Sequence, residues 1–220
     1  QENIPVEQDL LYSIYQGEND QLMDYVEDGG EDYYRYFDQD PVMRFRDYAA
    51  LRAIAGYPPV ELKPGEYLIH CRAYLGKHLS SYTQPITLGD TTLSPGGVYT
   101  EHFLQNYDTG NGQRYVLVVP DEAVVGRPVF HNAYAAKTVQ PVTEPQFSGL
   151  YQIYETLEEQ IKDPRYYDEI HTKAQEAADA AALTAMTVFP FYFLALALSM
   201  TAATILTIQQ LSESEHYRRQ

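Results

Sequence analysis

The sequence predicts an α+β extracytoplasmic domain with a mixed or antiparallel sheet, joined through a helical stalk to one transmembrane helix. Three observations carry that prediction. Residues 180–212 hold no charged side chain, and residues 188–208 are apolar all round a helix. Short runs of strand character separated by Gly and Pro fill the middle of the chain. From Gln146 onward the apolar spacing turns helical, with an interruption at Pro164. The expected division is residues 1–165 for the domain, 166–183 for the stalk, 184–211 for the transmembrane helix and 212–220 for a cytoplasmic tail.

The elements follow in chain order. Residues 1–40 are dense in acid and tyrosine, as in "YVEDGGEDYYRYFDQD". Disordered segments are poor in aromatics, so the tyrosines argue for order. Asp24, Glu27, Asp28, Glu31 and Asp32 form a candidate acidic surface for a cationic ligand, and a plain solvated face is the alternative. "PVMRFRDYAALRAIAG" reads as a helix opened by Pro41, with Phe45, Tyr48, Leu51, Ile54 and Ala55 at helical spacing. Gly56 with Pro58 and Pro59 ends it. Lys63-Pro64-Gly65 is a turn into a strand expected over Tyr67 to Tyr74. "PITLGDTTL" reads as a hairpin about Gly89-Asp90. "GVYTEHFLQNY" reads as a short helix, "RYVLVV" as a strand ended by Pro120, and "RPVFHNAYAAKTV" as another strand.

The stretch "YYDEIHTKAQEAADAAALTAM" passes into the uncharged run without a breaker, and Ile170, Ala174, Ala177 and Ala181 share one face. A hydrocarbon core about 30 Å thick needs roughly 20 apolar residues, and residues 184–208 supply them. Their threonines are compatible with lipid, because a helical Thr hydroxyl can bond a carbonyl one turn back. Pro190 is the one hinge expected in the span. Ala195, Ser199, Ala203 and Thr207 recur every four residues as a stripe of small side chains, with Phe193 and Met200 on the far side. Such a stripe lets membrane helices approach closely.

Charge sets the orientation. The chain carries 31 acidic and 15 basic residues, and all but Glu213, Glu215, Arg218 and Arg219 precede residue 180. Lys and Arg beside a span favour the cytoplasm. Arg218 and Arg219, with His216, therefore place residues 212–220 inside and 1–183 outside. The net charge of −16 disfavours nucleic acid as a partner. The lone Cys71 allows no internal disulfide. The chain starts "QENIPVEQ" and ends "EHYRRQ", and both ends read as cut from a longer polypeptide.

No catalytic set stands out. Asp108-Thr109-Gly110 carries the letters of an aspartic protease loop, but those enzymes need two such loops sharing a proton. His70 and Cys71 are adjacent on a strand and so point to opposite faces, which argues against a zinc site. The calcium-loop, phosphate-loop and nucleophile-elbow patterns are missing from the sequence. The expectation is a non-enzyme with no metal and no cofactor.

The order and spacing of several stretches carry a resemblance. "RDYAALRAIAGYPPVELKPGEYLIHC", "NGQRYVLVVPDE" and "FPFYFLALALSMTAATILTIQQLSESEHYRRQ" resemble the outer domain and the following membrane helix of FtsX-like ABC transporter permeases of Gram-positive bacteria. The resemblance runs from about residue 43 onward, and residues 1–40 lie outside it. It implies a permease that leaves ATP hydrolysis to a separate ATPase subunit. It implies further transmembrane helices of the same permease and membrane lipid as partners. It also implies a role in handling cationic antimicrobial peptides or cell-envelope components, located at the bacterial cell membrane. The alternative reading is a single-pass surface receptor or adhesin with a non-catalytic outer domain.

Overall fold

The computed structural model describes residues 4–28, 39–101, 115–161, 170 and 172–218. The chain divides into two compact units, residues 1–171 and 172–220. The first is an α+β domain built on a mixed seven-stranded sheet.

The strands are β1 (Val6–Gln16), β2 (Pro41–Arg44), β3 (Glu66–Cys71), β4 (Ile86–Leu88), β5 (Thr91–Tyr99), β6 (Tyr115–Val119) and β7 (Val129–Thr138). Their order across the sheet is β4-β5-β3-β6-β2-β1-β7. β2 runs parallel to β6, and β3 runs parallel to β5; the other neighbours are antiparallel. The helices of this unit are α1 (Gln21–Asp28), α2 (Phe45–Ala55), α3 (Ala73–Leu79) and α4 (Glu144–Ile161).

Strand composition follows position in the sheet. β6 reads Tyr-Val-Leu-Val-Val and is buried at every residue. It is covered on both faces, and strands in that setting read as continuous apolar runs. Tyr115, Leu117 and Val119 face a core that includes Leu22 and Val26 of α1 and Leu75 and Leu79 of α3. Val116 and Val118 face the opposite core, with Tyr48 and Leu51 of α2. β3 divides the same way: Tyr67, Ile69 and Cys71 face the first core, and Leu68 faces the second. β1 keeps Tyr12 and Ile14 buried and leaves Glu7, Asp9 and Leu11 exposed.

Two glycines are required by geometry. Gly56 closes α2 with φ +79, and the Tyr57 N–H reaches back to the Arg52 carbonyl at 2.9 Å. This left-handed C-terminal closure is one that glycine adopts without a Cβ penalty. Gly17 lies where β1 approaches β2, and a Cβ there would sit 2.6 Å from the Asp40 carbonyl oxygen.

Three expectations are corrected. Pro41 opens strand β2, and the helix begins only at Phe45. The strand expected to reach Tyr74 stops at Cys71, and α3 follows from Ala73. Gly97 to Tyr99 are strand, because β5 extends along β3 with Ile69 opposite Val98 and His70 opposite Tyr99. Thr100 and Glu101 are not helical, and residues 102–107 of that expected helix, with Asp108-Thr109-Gly110, fall outside the described residues. The Gly89-Asp90 hairpin, the "RYVLVV" strand and the strand over Val129–Thr138 form where expected.

The second unit is one helix, α5 (Lys173–Arg218), with Pro190 inside it. It is long and apolar enough to cross a membrane, with a mean hydropathy of 1.9 over its most apolar stretch, and none of that stretch is buried.

Candidate functional site

The small-residue stripe lies on α5, and Ala195, Ser199, Ala203 and Thr207 are all exposed. Every Ser and Thr hydroxyl between Thr184 and Thr207 donates to the carbonyl four residues back. Ser199 bonds Ala195 at 2.8 Å, and Thr207 bonds Ala203 at 2.8 Å. Their protons are thus already used within the helix. What the stripe offers a neighbour is close approach and acceptor oxygen. Large apolar side chains make up most of the remainder of residues 188–208, and Phe193 and Met200 are 57% and 65% exposed.

Of the candidate acidic surface, Asp24 is exposed on α1. Glu27 and Asp28 belong to the last turn of the same helix. Glu31 and Asp32 lie outside the described residues.

The domain also buries two polar clusters that sequence reasoning missed. The first centres on Arg52, whose side chain is 2% exposed. Its Nε donates to the Pro58 carbonyl at 2.9 Å, one terminal nitrogen to the Tyr48 hydroxyl at 3.2 Å and the other to Glu101 Oε1 at 2.7 Å. The rings of Tyr48, Tyr57 and Tyr99 lie 5.6, 5.6 and 5.3 Å from the guanidinium carbon. Tyr48 Oη lies 3.0 Å from His70 Nδ1. The Arg52 guanidinium holds the Glu101 carboxyl below its ordinary range. Burial pushes His70 down to about 4, helped by Arg52, while Glu101 pulls the other way.

Arg52 is buried but Glu101 is 31% exposed, so removing one partner costs less than the about 3–5 kcal/mol of a fully buried pair. The cluster did leave a trace in the sequence. Arg52 comes one turn after Tyr48 and next to Leu51, on the stripe that α2 buries, whereas Ile54 is half-buried and Ala55 exposed.

The second cluster centres on Asp40, which is 3% exposed. Its carboxylate accepts from the Leu22 and Met23 amides at 3.1 and 3.0 Å, and from the Tyr115 hydroxyl. It thereby caps the first turn of α1 from a residue outside that helix, where the amides have no partner of their own. Burial raises its pKa to about 6, against the pull of those three hydrogen bonds.

Cys71 is buried in the core beneath α3, and burial pushes its thiol up to about 12. His70 points to the opposite face, where it meets Tyr48. Among the described residues there is no group of three or more His, Cys, Asp or Glu side chains able to hold a metal. No family model, curated protein or solved structure matches the chain.

Proposed function

We propose that this chain is part of the permease subunit of an FtsX-like ABC transporter, with the sheet domain outside a bacterial membrane and α5 as one of several transmembrane helices. One observation carries the reading most directly. α5 is a single helix from Lys173 to Arg218 whose apolar middle is exposed on all sides. Such a surface needs lipid or other helices around it.

The length fits this role. Residues 188–208 span about 31 Å at 1.5 Å per residue, close to a bilayer's hydrocarbon thickness. Pro190 has no N–H, so the Met186 carbonyl loses its helical partner. Met186 is about 18 Å from the midpoint at Leu198, outside a half-core of about 15 Å, where water can serve that carbonyl.

In this reading residues 173–183 are the part of the stalk that rises from the membrane. The stalk couples helix motion, driven by ATP hydrolysis in a separate subunit, to the sheet domain. Arg218 and Arg219 mark the cytoplasmic end. The excess of acid in the outer part favours a cationic ligand such as a peptide, and neither a cofactor nor nucleic acid takes part. A second reading, a single-pass receptor or adhesin, is also compatible with α5 as a membrane-spanning helix.

Two measurements separate the readings. Single cysteines at Lys137 and Ser214, in a Cys71→Ser background, are labelled with an impermeant maleimide on intact cells. The permease reading expects labelling at 137 only, together with co-purification of a nucleotide-hydrolysing subunit. Labelling at 214 from outside sinks the orientation. Correct labelling with no ATPase in the purified complex favours the single-pass protein.

A further inference from the structure

The two edges of the sheet are built differently. β4, at one edge, is three residues long, and the loop before α1 closes on its end: the Gly89 N–H donates to Glu18 at 2.8 Å. β7, at the other edge, is ten residues long and contains no proline. Among the described residues no strand lies beyond it. Its inner side is bonded to β1 and the residues flanking β1, from Pro128 to Val139. A long edge strand presents a row of backbone N–H and C=O groups that can pair with another chain, and folded sheets usually blunt such edges.

β7 suits a partner of its own sequence. The regular part of its ladder with β1 runs from His131 to Lys137, between two irregularities, and Tyr134 is at its centre. Two copies set antiparallel about Tyr134 bring Tyr134 opposite Tyr134, Ala133 opposite Ala135, Asn132 opposite Ala136 and His131 opposite Lys137. The two members of each pair point to the same face of the sheet. On the face of Asn132, Tyr134 and Ala136, Leu11 of β1 is the register partner of Tyr134. Leu11 and Tyr134 are 69% and 61% exposed, and with their copies they form one apolar row across four strands.

Charge points the same way. The chain has 31 acidic residues, and β7 has none. The acids beside it on β1 are engaged: Asp9 accepts from the Tyr134 hydroxyl at 2.9 Å, and Glu7 accepts from Lys137 at 3.1 Å. Burial lowers the His131 pKa, so its ring is neutral where it would face Lys137. Self-pairing therefore sets no two like charges directly opposite each other, an arrangement that would work against it.

We propose that β7 is a dimerisation edge: two copies of the chain pair antiparallel through β7 about a two-fold axis at Tyr134, joining their sheets into one. Each copy uses the same patch, so the assembly closes at two. A ligand of the outer domain then meets two copies of that domain side by side.

The test uses the full chain in detergent micelles, in a Cys71→Ser background. Opposed residues of an antiparallel pair have Cα atoms about 4.5–5.5 Å apart, within disulfide reach. Under mild oxidation Tyr134→Cys should cross-link to its copy. Asn132→Cys or Ala136→Cys alone should cross-link about tenfold less, because each is displaced about 13 Å along the strands from its own copy. Co-expressing the Asn132→Cys and Ala136→Cys chains should restore the cross-link. All three side chains are exposed, so the substitutions leave the core untouched. Native mass spectrometry of the unaltered chain should find two copies per micelle. A single copy per micelle, no cross-link at 134, equal cross-linking at all three positions, or no gain on co-expression would each overturn the pairing.

Discussion

The sheet domain and α5 draw on the same apolar residue types and place them oppositely. In the domain, Tyr67, Leu68 and Val118 are 0%, 1% and 0% exposed. In α5, Tyr192, Leu194 and Leu198 are 69%, 57% and 62% exposed. The difference lies in pattern more than in content. The domain interleaves its apolar runs with acid, Gly and Pro, so each element can turn one face or both to a neighbour. α5 has no polar face over residues 188–208, so it has no side to present to water. It follows that the two units need different surroundings, and the largest effect comes from separating them. A chain ending at His171 should move from the membrane pellet to the supernatant and unfold in one cooperative thermal transition, while the full chain resists carbonate extraction. A truncated chain that stays in the pellet, or melts without a transition, removes the contrast.

Legibility from sequence divides along the same line. α5 could be read because one property, an uncharged apolar run, persists for over twenty residues and needs no partner to interpret. β6 and β7 could be read from local alternation or apolar density bounded by Pro120 and Pro128. β1 is not legible locally, because Glu7 and Asp9 make its first half acidic and only Tyr12 and Ile14 are buried. Pro41 is ambiguous, because proline suits the first turn of a helix as well as the start of a strand. The end of β5 is strand through pairing with β3, a contact between residues about thirty apart that no local window contains. The two polar clusters were hidden for the same reason. Arg52 meets Glu101 across 49 positions, and Asp40 meets Tyr115 across 75. On sequence alone, Arg on a helix and Asp before a proline both read as surface.

The two faces of the sheet sharpen the comparison within the domain, at an intermediate size of effect. Asp40 lies on the α1 face, and its folded pKa of about 6 exceeds the ordinary 3.8. The folded state therefore binds this proton more tightly than the unfolded chain. The stabilisation is fully present below about pH 4 and lost as pH rises through about 6. At 1.36 kcal/mol per unit the span is about 3 kcal/mol. His70, on the α2 face, has the opposite slope over nearly the same window. Urea unfolding of the sheet domain between pH 4 and pH 6.5 should thus show a shallow net dependence. Asp40→Asn should expose the rising histidine slope, about 3 kcal/mol across that window from His70 with His131 adding in the same direction. A variant as flat as the unaltered domain would mean that Asp40 does not titrate there.

The smallest expected effect concerns the α5 stripe, where exposure alone does not say which side meets protein. Ser199 and Ala203 are small, and their neighbours one turn away, Ala195 and Thr207, are small too. Because Ser199 and Thr207 already donate to their own backbone, a helix packed on this stripe is held mainly by dispersion across a short distance. Leucine at 199 or 203 would keep the span apolar and the helix intact while forcing the neighbour outward, at a cost of about 1–2 kcal/mol of association. Met200 lies on the far side, and Met200→Leu conserves volume, which packed sites tolerate well. The expectation is that Ser199→Leu and Ala203→Leu each lower recovery of the assembled complex in mild detergent about five- to thirtyfold, while Met200→Leu recovers normally. All three should insert into the membrane alike, since apolarity, the property that separates α5 from the sheet domain, is unchanged. Equal recovery for all three would place lipid against the stripe. The helix would then differ from the domain's core only in what solvates it, and the single-pass reading would gain.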